Sequence, residues 1–209
     1  MLGMAAAISA STPPGAPIGR RERKKIQTRQ AIRRAAYRLF EEHGYEATPV
    51  DRIAEAAEVS PSTVFRYFPA KEDIVLTDEY DAVLETGIRA RPADEPVIES
   101  VRRISIEALR AMTAEDRGEL VQRVRLIREV PAIRGRTAEH TARDAAMLTT
   151  VLAERTGRPA DDLELRVISA VILAALQEAL LHWGESGRTT DAEASIHRAM
   201  DVLGRGLTL

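Results

Sequence analysis

The most distinctive chemistry in this chain lies in residues 60–68, which read SPSTVFRYF. Hydroxyls, a guanidinium and a phenol stand beside two phenylalanines here, although aromatic residues make up only 4% of the whole sequence. Hydroxyl and guanidinium groups hydrogen-bond to phosphate oxygens and to base edges in the major groove of DNA. The residue types of this segment therefore point to contact with nucleic acid.

A helical projection divides the segment into two faces. If Pro61 is the origin and each residue advances the helix by 100°, the apolar residues fall within about 60° of it: Val64, Phe65 and Phe68. The opposite half carries the polar residues Ser62, Thr63, Arg66 and Tyr67. We expect the apolar face to anchor the helix and the polar face to enter a major groove, where an Arg–guanine contact provides about 1–3 kcal/mol of discrimination. The alternative is an ordinary amphipathic helix with a solvated face.

Two further helices are expected to position this one. The spacing of apolar residues predicts a first helix over residues 24–43, which Gly44 ends. Thr48 and Pro49 are typical of a helix start, so a second short helix follows and is closed by a turn at residues 58–59. Ser60 then caps the third helix, with Pro61 at its first position. This order of elements is a helix-turn-helix arrangement.

Charge is unevenly distributed along the chain. The net charge is −2, yet residues 20–72 hold 12 Lys or Arg against 8 Asp or Glu, a net +4, which leaves −6 for residues 73–209. The cluster RRERKK at residues 20–25 begins the basic part. A basic segment on an acidic body is typical of a polyanion-binding unit, while a solvated helix start is the alternative interpretation.

The composition favours an all-α protein with two unequal domains. Helix-forming Ala, Leu, Arg and Glu are abundant, and no alternating strand pattern stands out. We expect a disordered tail over residues 1–19, because it is rich in Ser, Thr, Pro and Gly and has no basic start typical of a signal peptide. A helix-turn-helix domain over residues 20–71 and a larger helical domain over residues 72–209 follow.

Six more helices are predicted in the larger domain, which makes about nine in all. Their approximate ranges are residues 71–89, 94–112, 115–130, 132–155, 161–183 and a last helix capped within residues 190–193. The helix from residue 161 has little polar surface, so we expect it to be buried on both sides. No apolar run approaches the roughly 20 residues that span a bilayer, so no membrane partner is expected.

Nothing in the sequence indicates catalysis. The four histidines are far apart, and His140 with Asp144 one turn later makes a poor metal site, so an exposed hydrogen-bonded pair is the simpler interpretation. Phosphate loops, dinucleotide fingerprints and Gly-x-Ser-x-Gly are absent. The chain has no cysteine, which excludes disulfides and thiolate metal sites and fits a reducing cytoplasm. We therefore expect no catalytic residue, metal or cofactor.

Residues 24–74 resemble the DNA-binding domain of the TetR family of transcriptional regulators. The matching positions are Ile32, Ala36, Phe40, Gly44, Tyr45, Thr48, Val50, Ile53, Ala54, Ala57, Val59, Ser60, Thr63, Phe68, Lys71, Glu72 and Ile74. The segment FPAKEDIV after the third helix is especially diagnostic. The resemblance implies a cytoplasmic homodimer that binds a short palindromic operator in double-stranded DNA and is joined through its last two helices.

The same resemblance implies roles for individual residues. Phosphate contacts are expected from Thr48, Ser60, Tyr67 and Lys71, and base contacts from Ser62, Thr63 and Arg66. The basic arm, with Arg20, Arg21, Lys24 and Lys25, would add salt-sensitive affinity through counterion release. Two positions depart from the family pattern. Glu58 replaces the usual glycine of the turn, and Phe65 replaces a tyrosine whose hydroxyl commonly reaches a phosphate.

The larger domain resembles a subgroup of the family whose effectors include acyl-CoA-like molecules. The candidate ligand-binding residues are Arg123, Ile127, Met147, Leu148, Val151, Val171, Leu176 and Trp183, with Arg125 and Arg128 as further cations. The resemblance implies a repressor that its effector releases from the operator. Two alternatives remain open at this point: an architectural DNA-binding protein without an effector, and a helical enzyme on the same scaffold.

Overall fold

The computed structural model describes residues 19–77, 80–185 and 191–207, and within these ranges it contains ten helices and no strand. The helices are α1 (Arg20–His43), α2 (Val50–Ala56), α3 (Pro61–Tyr67), α4 (Lys71–Leu76), α5 (Tyr80–Ala90), α6 (Val97–Ala111), α7 (Ala114–Glu129), α8 (Pro131–Thr156), α9 (Leu163–Glu185) and α10 (Ala192–Gly204). The predicted all-α class is confirmed. The predicted tail over residues 1–19 lies outside the described residues except for Gly19, as does Thr190 of the predicted last cap.

The first three helices share a small apolar core with part of the larger domain. Ile32, Phe40, Ile53, Val64 and Phe68 are all buried in one cluster. The cluster also contains Leu126, Val130 and Ile133, which lie where α7 passes into α8. The helix-turn-helix unit is therefore packed directly on the larger domain. A shift of α7 or α8 would change the contacts of the helices that position α3.

The predicted helix over residues 71–89 is wrong as a single element. Its first part, α4, ends at Leu76, and Thr77 has an extended backbone with ψ of 127°. Two arginines from other helices take the carbonyls at this end: Arg33 Nη2 donates to Thr77 O at 2.6 Å, and Arg123 Nη2 donates to Leu76 O at 3.1 Å. A continuous helix would need those carbonyls for its own hydrogen bonds, so the guanidinium groups stabilise the break.

The larger domain is built around α9, which packs against α8 and α10. Leu165, Ile172 and Leu176 on its inner side belong to the main core cluster. In the single chain the opposite side is exposed, with Val167 at 51% and Val171 at 38%, so the chain by itself buries one side of α9, and burial of the other side stays a prediction. Helix α9 is also the one helix in the described ranges that is long and apolar enough to cross a membrane by length and composition alone. Within the chain 28% of that stretch is buried.

The turn between α2 and α3 places Glu58 in a strained backbone conformation. Its φ is +55°, a region that favours glycine because a Cβ crowds the following carbonyl. Two hydrogen bonds define the turn as a Schellman motif: Val59 N–H donates to Ala54 O, and Glu58 N–H donates to Glu55 O, both at 3.0 Å. The turn keeps its shape without the usual glycine, at a cost in conformational strain.

We predict that Glu58→Gly stabilises the protein by about 0.5–1 kcal/mol, because relief of the left-handed strain exceeds the added entropy of the unfolded chain. Urea unfolding followed by circular dichroism measures the midpoint. Glu55→Gly is the matched control, since Glu55 is exposed within α2 and a helical glycine should lower the midpoint. A lower midpoint for Glu58→Gly would show that the turn carries no relievable strain.

Candidate nucleic-acid interface and its link to the larger domain

The short helix α3 is fixed at its start by a cap and along its inner side by packing. Ser60 is the capping residue, and the Thr63 N–H donates to its Oγ at 3.2 Å. Val64 and Phe68 are each only 1% exposed and anchor the helix in the core. A seven-residue helix has little stability of its own, so its orientation depends on these two side chains and on the cap.

The outer side of α3 presents the polar residues that the helical projection places there. Ser62 and Arg66 are exposed, and Thr63 and Tyr67 are half-buried. The Ser60 Oγ lies 2.9 Å from both Ser62 Oγ and Thr63 Oγ1, so the three hydroxyls form one hydrogen-bonded group. The Arg66 guanidinium stands 5.3 Å from the centre of the Tyr67 ring. The surface thus combines adaptable hydroxyls with one positive charge.

Phe65 does not anchor α3, contrary to the expectation from the helical projection. Its side chain is 49% exposed, whereas Val64 and Phe68 are buried. The buried arc of this short helix is narrow and centres between Val64 and Phe68, so Phe65 lies at its edge. The outer surface of α3 therefore carries a phenyl ring next to Ser62 and Arg66.

Two of the predicted phosphate contacts have other structural partners. Thr48 is fully buried, and its Oγ1 donates to Gly44 O at 2.8 Å, so the structure does not present this side chain to DNA. Lys71 Nζ donates to Tyr45 O at 2.9 Å and to Thr48 O at 3.3 Å, and it stands 3.9 Å from the Tyr45 ring centre. These two side chains hold the connection between α1 and α2.

The basic arm is part of a helix. Helix α1 begins at Arg20 rather than near residue 24, so the basic side chains project from its first turns. The residues concerned are exposed: Arg20, Arg21, Lys24 and Lys25. At 100° per residue they fall within an arc of about 140°, so the positive charge lies on one side of the N-terminal end of α1.

An ion-pair cluster joins α4 to α8. The buried Asp73 accepts hydrogen bonds from Arg136 Nη2 at 3.0 Å and from the Ala70 N–H at 2.8 Å, and its Oδ1 lies 2.8 Å from His140 Nε2. Burial alone would raise the pKa of Asp73, but the hydrogen bonds from His140, Ala70 and Arg136 outweigh it and hold the pKa below its usual value. The cluster ties the helix after α3 to the longest helix of the larger domain.

The interpretation of His140 and Asp144 as an exposed pair is wrong, because His140 is buried and its ring nitrogen pairs with Asp73. No group of three or more His, Asp or Glu suited to a metal ion occurs in the described part of the chain.

The sequence did not predict the ion pair by which Asp73 and Arg136 join α4 to α8. The burial of Arg33, which is only 7% exposed, is likewise a finding of the structure alone.

An open groove of about 850 Å³ runs between α1 and α7. Arg34 and Arg38 lie on the α1 side, with Glu119, Gln122 and Arg125 on the α7 side. Gln122 Nε2 bridges the walls by donating to the Tyr37 carbonyl of α1 at 2.7 Å. Burial raises the pKa of Glu119 to about 7, and the opposing effect of Arg33 is smaller.

The structure distributes the candidate ligand-binding residues over three places. Arg123 and Ile127 lie on α7 near the helix-turn-helix unit, where Arg123 holds the end of α4. The main core cluster, or the layer packed on it, contains Met147, Leu148, Val151, Leu176 and Trp183. Val171 lies on the exposed side of α9. The five core residues are brought together, and the other three are separate from them.

Comparison with known proteins finds two matching segments in the chain. Residues 32–77 match the family model described as bacterial regulatory proteins, tetR family. Residues 95–208 match the model described as the MftR C-terminal domain.

One relative and two solved structures illustrate the similarity. The transcriptional regulator TcmR of Streptomyces glaucescens is 35% identical over 92% of this chain and 89% of its own length. The FadR repressor of Thermus thermophilus, solved with lauroyl-CoA, shares the fold with a TM-score of 0.53 at 24% identity, over 87% of this chain and 95% of that one. The FadR regulator of Bacillus subtilis, solved with stearoyl-CoA, has a TM-score of 0.54 at 22% identity, over 83% and 96%.

We predict that Glu119→Gln stabilises the protein at pH 8 but not at pH 4. The folded pKa of Glu119 is raised from 4.5 to about 7, so the wild type loses stability relative to the variant as pH rises through this interval. The difference should reach on the order of 1 kcal/mol above pH 7, since solvent screens a half-buried group. Urea unfolding across pH 4–8 measures it, with Glu107→Gln as control, since Glu107 is exposed on α6 and lies outside the groove. A difference that does not change with pH would contradict the assignment.

Proposed function

We propose that this chain, which belongs to the TetR family of bacterial transcriptional regulators, is a repressor that holds an operator through α3 and releases it when an effector binds the larger domain. The observation that carries the proposal is the division of α3 into a buried and an outer side. Val64 and Phe68 anchor it, while Ser62 and Arg66 are exposed. Such a helix can enter a major groove without leaving the protein core.

Base contacts are assigned to Ser62, Thr63 and Arg66, and phosphate contacts to Ser60 and Tyr67. The hydroxyls of Ser60, Ser62 and Thr63 can each act as hydrogen-bond donor or acceptor, according to the group that they meet on the DNA. Arg66 can donate two hydrogen bonds to one guanine. The exposed cations of α1 contribute affinity that is independent of sequence and falls as salt rises. For Lys71 we propose a structural role through the carbonyls of Tyr45 and Thr48.

The exposed side of α9 supports a homodimer. Leu163, Val167 and Val171 lie on successive turns of this side and are exposed in the single chain. A second copy that packs against them would bury the apolar stripe, and α10 lies beside α9 to complete a four-helix contact. Two-fold symmetry then presents two copies of α3, and one turn of B-DNA requires roughly 34–36 Å between them.

We propose that the effector is an acyl-CoA-like molecule. Support comes from the lauroyl-CoA and stearoyl-CoA found in two proteins of the same fold. In this chain the acyl group would displace core contacts around Met147 and Trp183, which are only partly buried. Any movement of α7 or α8 that follows acts on α4 through Arg123 and Asp73. We also propose a cytoplasmic location, because a repressor must reach its operator there.

We predict that Arg66→Ala weakens binding to the selected operator by about 30-fold or more, because each of the two copies of α3 loses about 1–3 kcal/mol. Binding to a random duplex of equal length should change little, because the loss concerns base recognition. Fluorescence anisotropy at fixed salt measures both duplexes. Arg103→Ala is the matched control, since Arg103 is exposed on α6, which belongs neither to the proposed DNA surface nor to the proposed dimer contact. Equal loss on both duplexes would reduce Arg66 to a phosphate contact.

Lauroyl-CoA is the probe for the effector. We predict that it weakens operator binding by about 5- to 150-fold and that operator DNA weakens lauroyl-CoA binding by the same factor, because coupling between two sites is reciprocal. Anisotropy gives the first factor and isothermal titration calorimetry the second. Coenzyme A and lauric acid alone serve as controls. Operator affinity that is insensitive to bound lauroyl-CoA would remove acyl-CoA as the effector and leave the DNA-binding proposal intact.

A further inference from the structure

Phe65 is the one aromatic side chain among the large apolar residues that the described chain exposes. It lies on α3, three residues after Ser62 and directly before Arg66, at the edge of the surface proposed to meet DNA. A phenyl ring that is 49% exposed can be removed from water only by a partner, since its neighbours Val64 and Phe68 already fill the core. A partner that covers this ring favourably must offer an apolar group.

The major groove offers one apolar group among its base edges, the 5-methyl group of thymine. The other groups are hydrogen-bond donors and acceptors, which a phenyl ring cannot satisfy. A tyrosine at this position would add a hydroxyl able to reach a phosphate. Phenylalanine has no such group, so its favourable interactions with DNA are apolar contacts.

We propose that Phe65 determines sequence specificity by contacting a thymine methyl group in each half of the operator. The inference rests on the proposed function, since it requires α3 to lie in a major groove. It adds a base preference that hydrogen bonding by Ser62, Thr63 and Arg66 does not supply. Phe65 is near enough to Ser62 on the helix surface for both to face neighbouring base pairs.

Replacement of thymine by deoxyuridine tests this contact, because it removes the methyl group and keeps base pairing. The operator is first obtained by selecting duplexes from a random library with the wild-type protein. Each thymine of the selected duplex is then replaced by deoxyuridine, one symmetric pair at a time, and affinity is measured by fluorescence anisotropy. Burial of one methyl group changes affinity by about fourfold, so a symmetric pair should change it by roughly 15-fold.

For the wild type we expect one symmetric thymine pair whose replacement weakens binding by about this factor. For Phe65→Ala the same replacement should have no effect, although the variant binds more weakly overall. Lys24→Ala is the control, because a cation removed from α1 should weaken binding to the thymine and deoxyuridine duplexes equally. Phe65→Leu, which keeps an apolar side chain, should retain part of the methyl sensitivity and exclude a general distortion of α3.

Two results would overturn the inference. One is a selected operator on which no deoxyuridine pair affects the wild type. The other is a methyl sensitivity that persists unchanged in Phe65→Ala, which would assign it to another residue. Failure to select any duplex is a different outcome, since it contradicts the proposed function itself. Circular dichroism of each variant verifies that the helices are retained.

Discussion

The end of α4 is the point on which the arrangement of the two domains depends. Its last carbonyls accept hydrogen bonds from Arg33 of α1 and Arg123 of α7, and its buried Asp73 accepts them from Arg136 of α8. One short helix is thus held by groups from the helix-turn-helix unit and from the larger domain at once. Burial lowers the pKa of Arg123, yet the carbonyl contact satisfies the guanidinium that burial deprives of water. Because directional bonds have discrete partners, such a junction favours a small number of defined arrangements over gradual sliding.

Much of the fold could be predicted because local signals and tertiary packing agree in the helix-turn-helix unit. Ser60, Pro61 and the apolar spacing of Val64 and Phe68 specify α3 before any tertiary contact is considered. The break after Leu76 could not be predicted, since the groups that stabilise it lie on α1 and α7. The projection misplaces Phe65 for a related reason: it gives direction around an axis, but not how wide an arc the neighbours cover.

Charged residues are the least predictable part of the site. Asp73 and His140 are distant in sequence and look like surface residues in a charged segment, but the fold brings them to 2.8 Å. The family pattern assigns Lys71 and Thr48 to phosphate, whereas the structure shows them bonded to backbone carbonyls. Sequence patterns record which residue types are needed at a position. They do not distinguish a side chain that holds a turn from one that contacts a ligand.

The close contact between α9 and α7 connects the proposed dimer face to this junction. A Cβ on Gly184 would lie 2.4 Å from the Val124 side chain, so the two helices approach more closely there than any larger residue would allow. Val124 directly follows Arg123, whose guanidinium holds the end of α4. A displacement of α9, whether by a partner chain on its outer side or by a ligand on its inner side, therefore acts on α7 within one residue of that bond. With Gly184 in place there is no intervening side chain to absorb the movement, and α7 must either shift with α9 or separate from it.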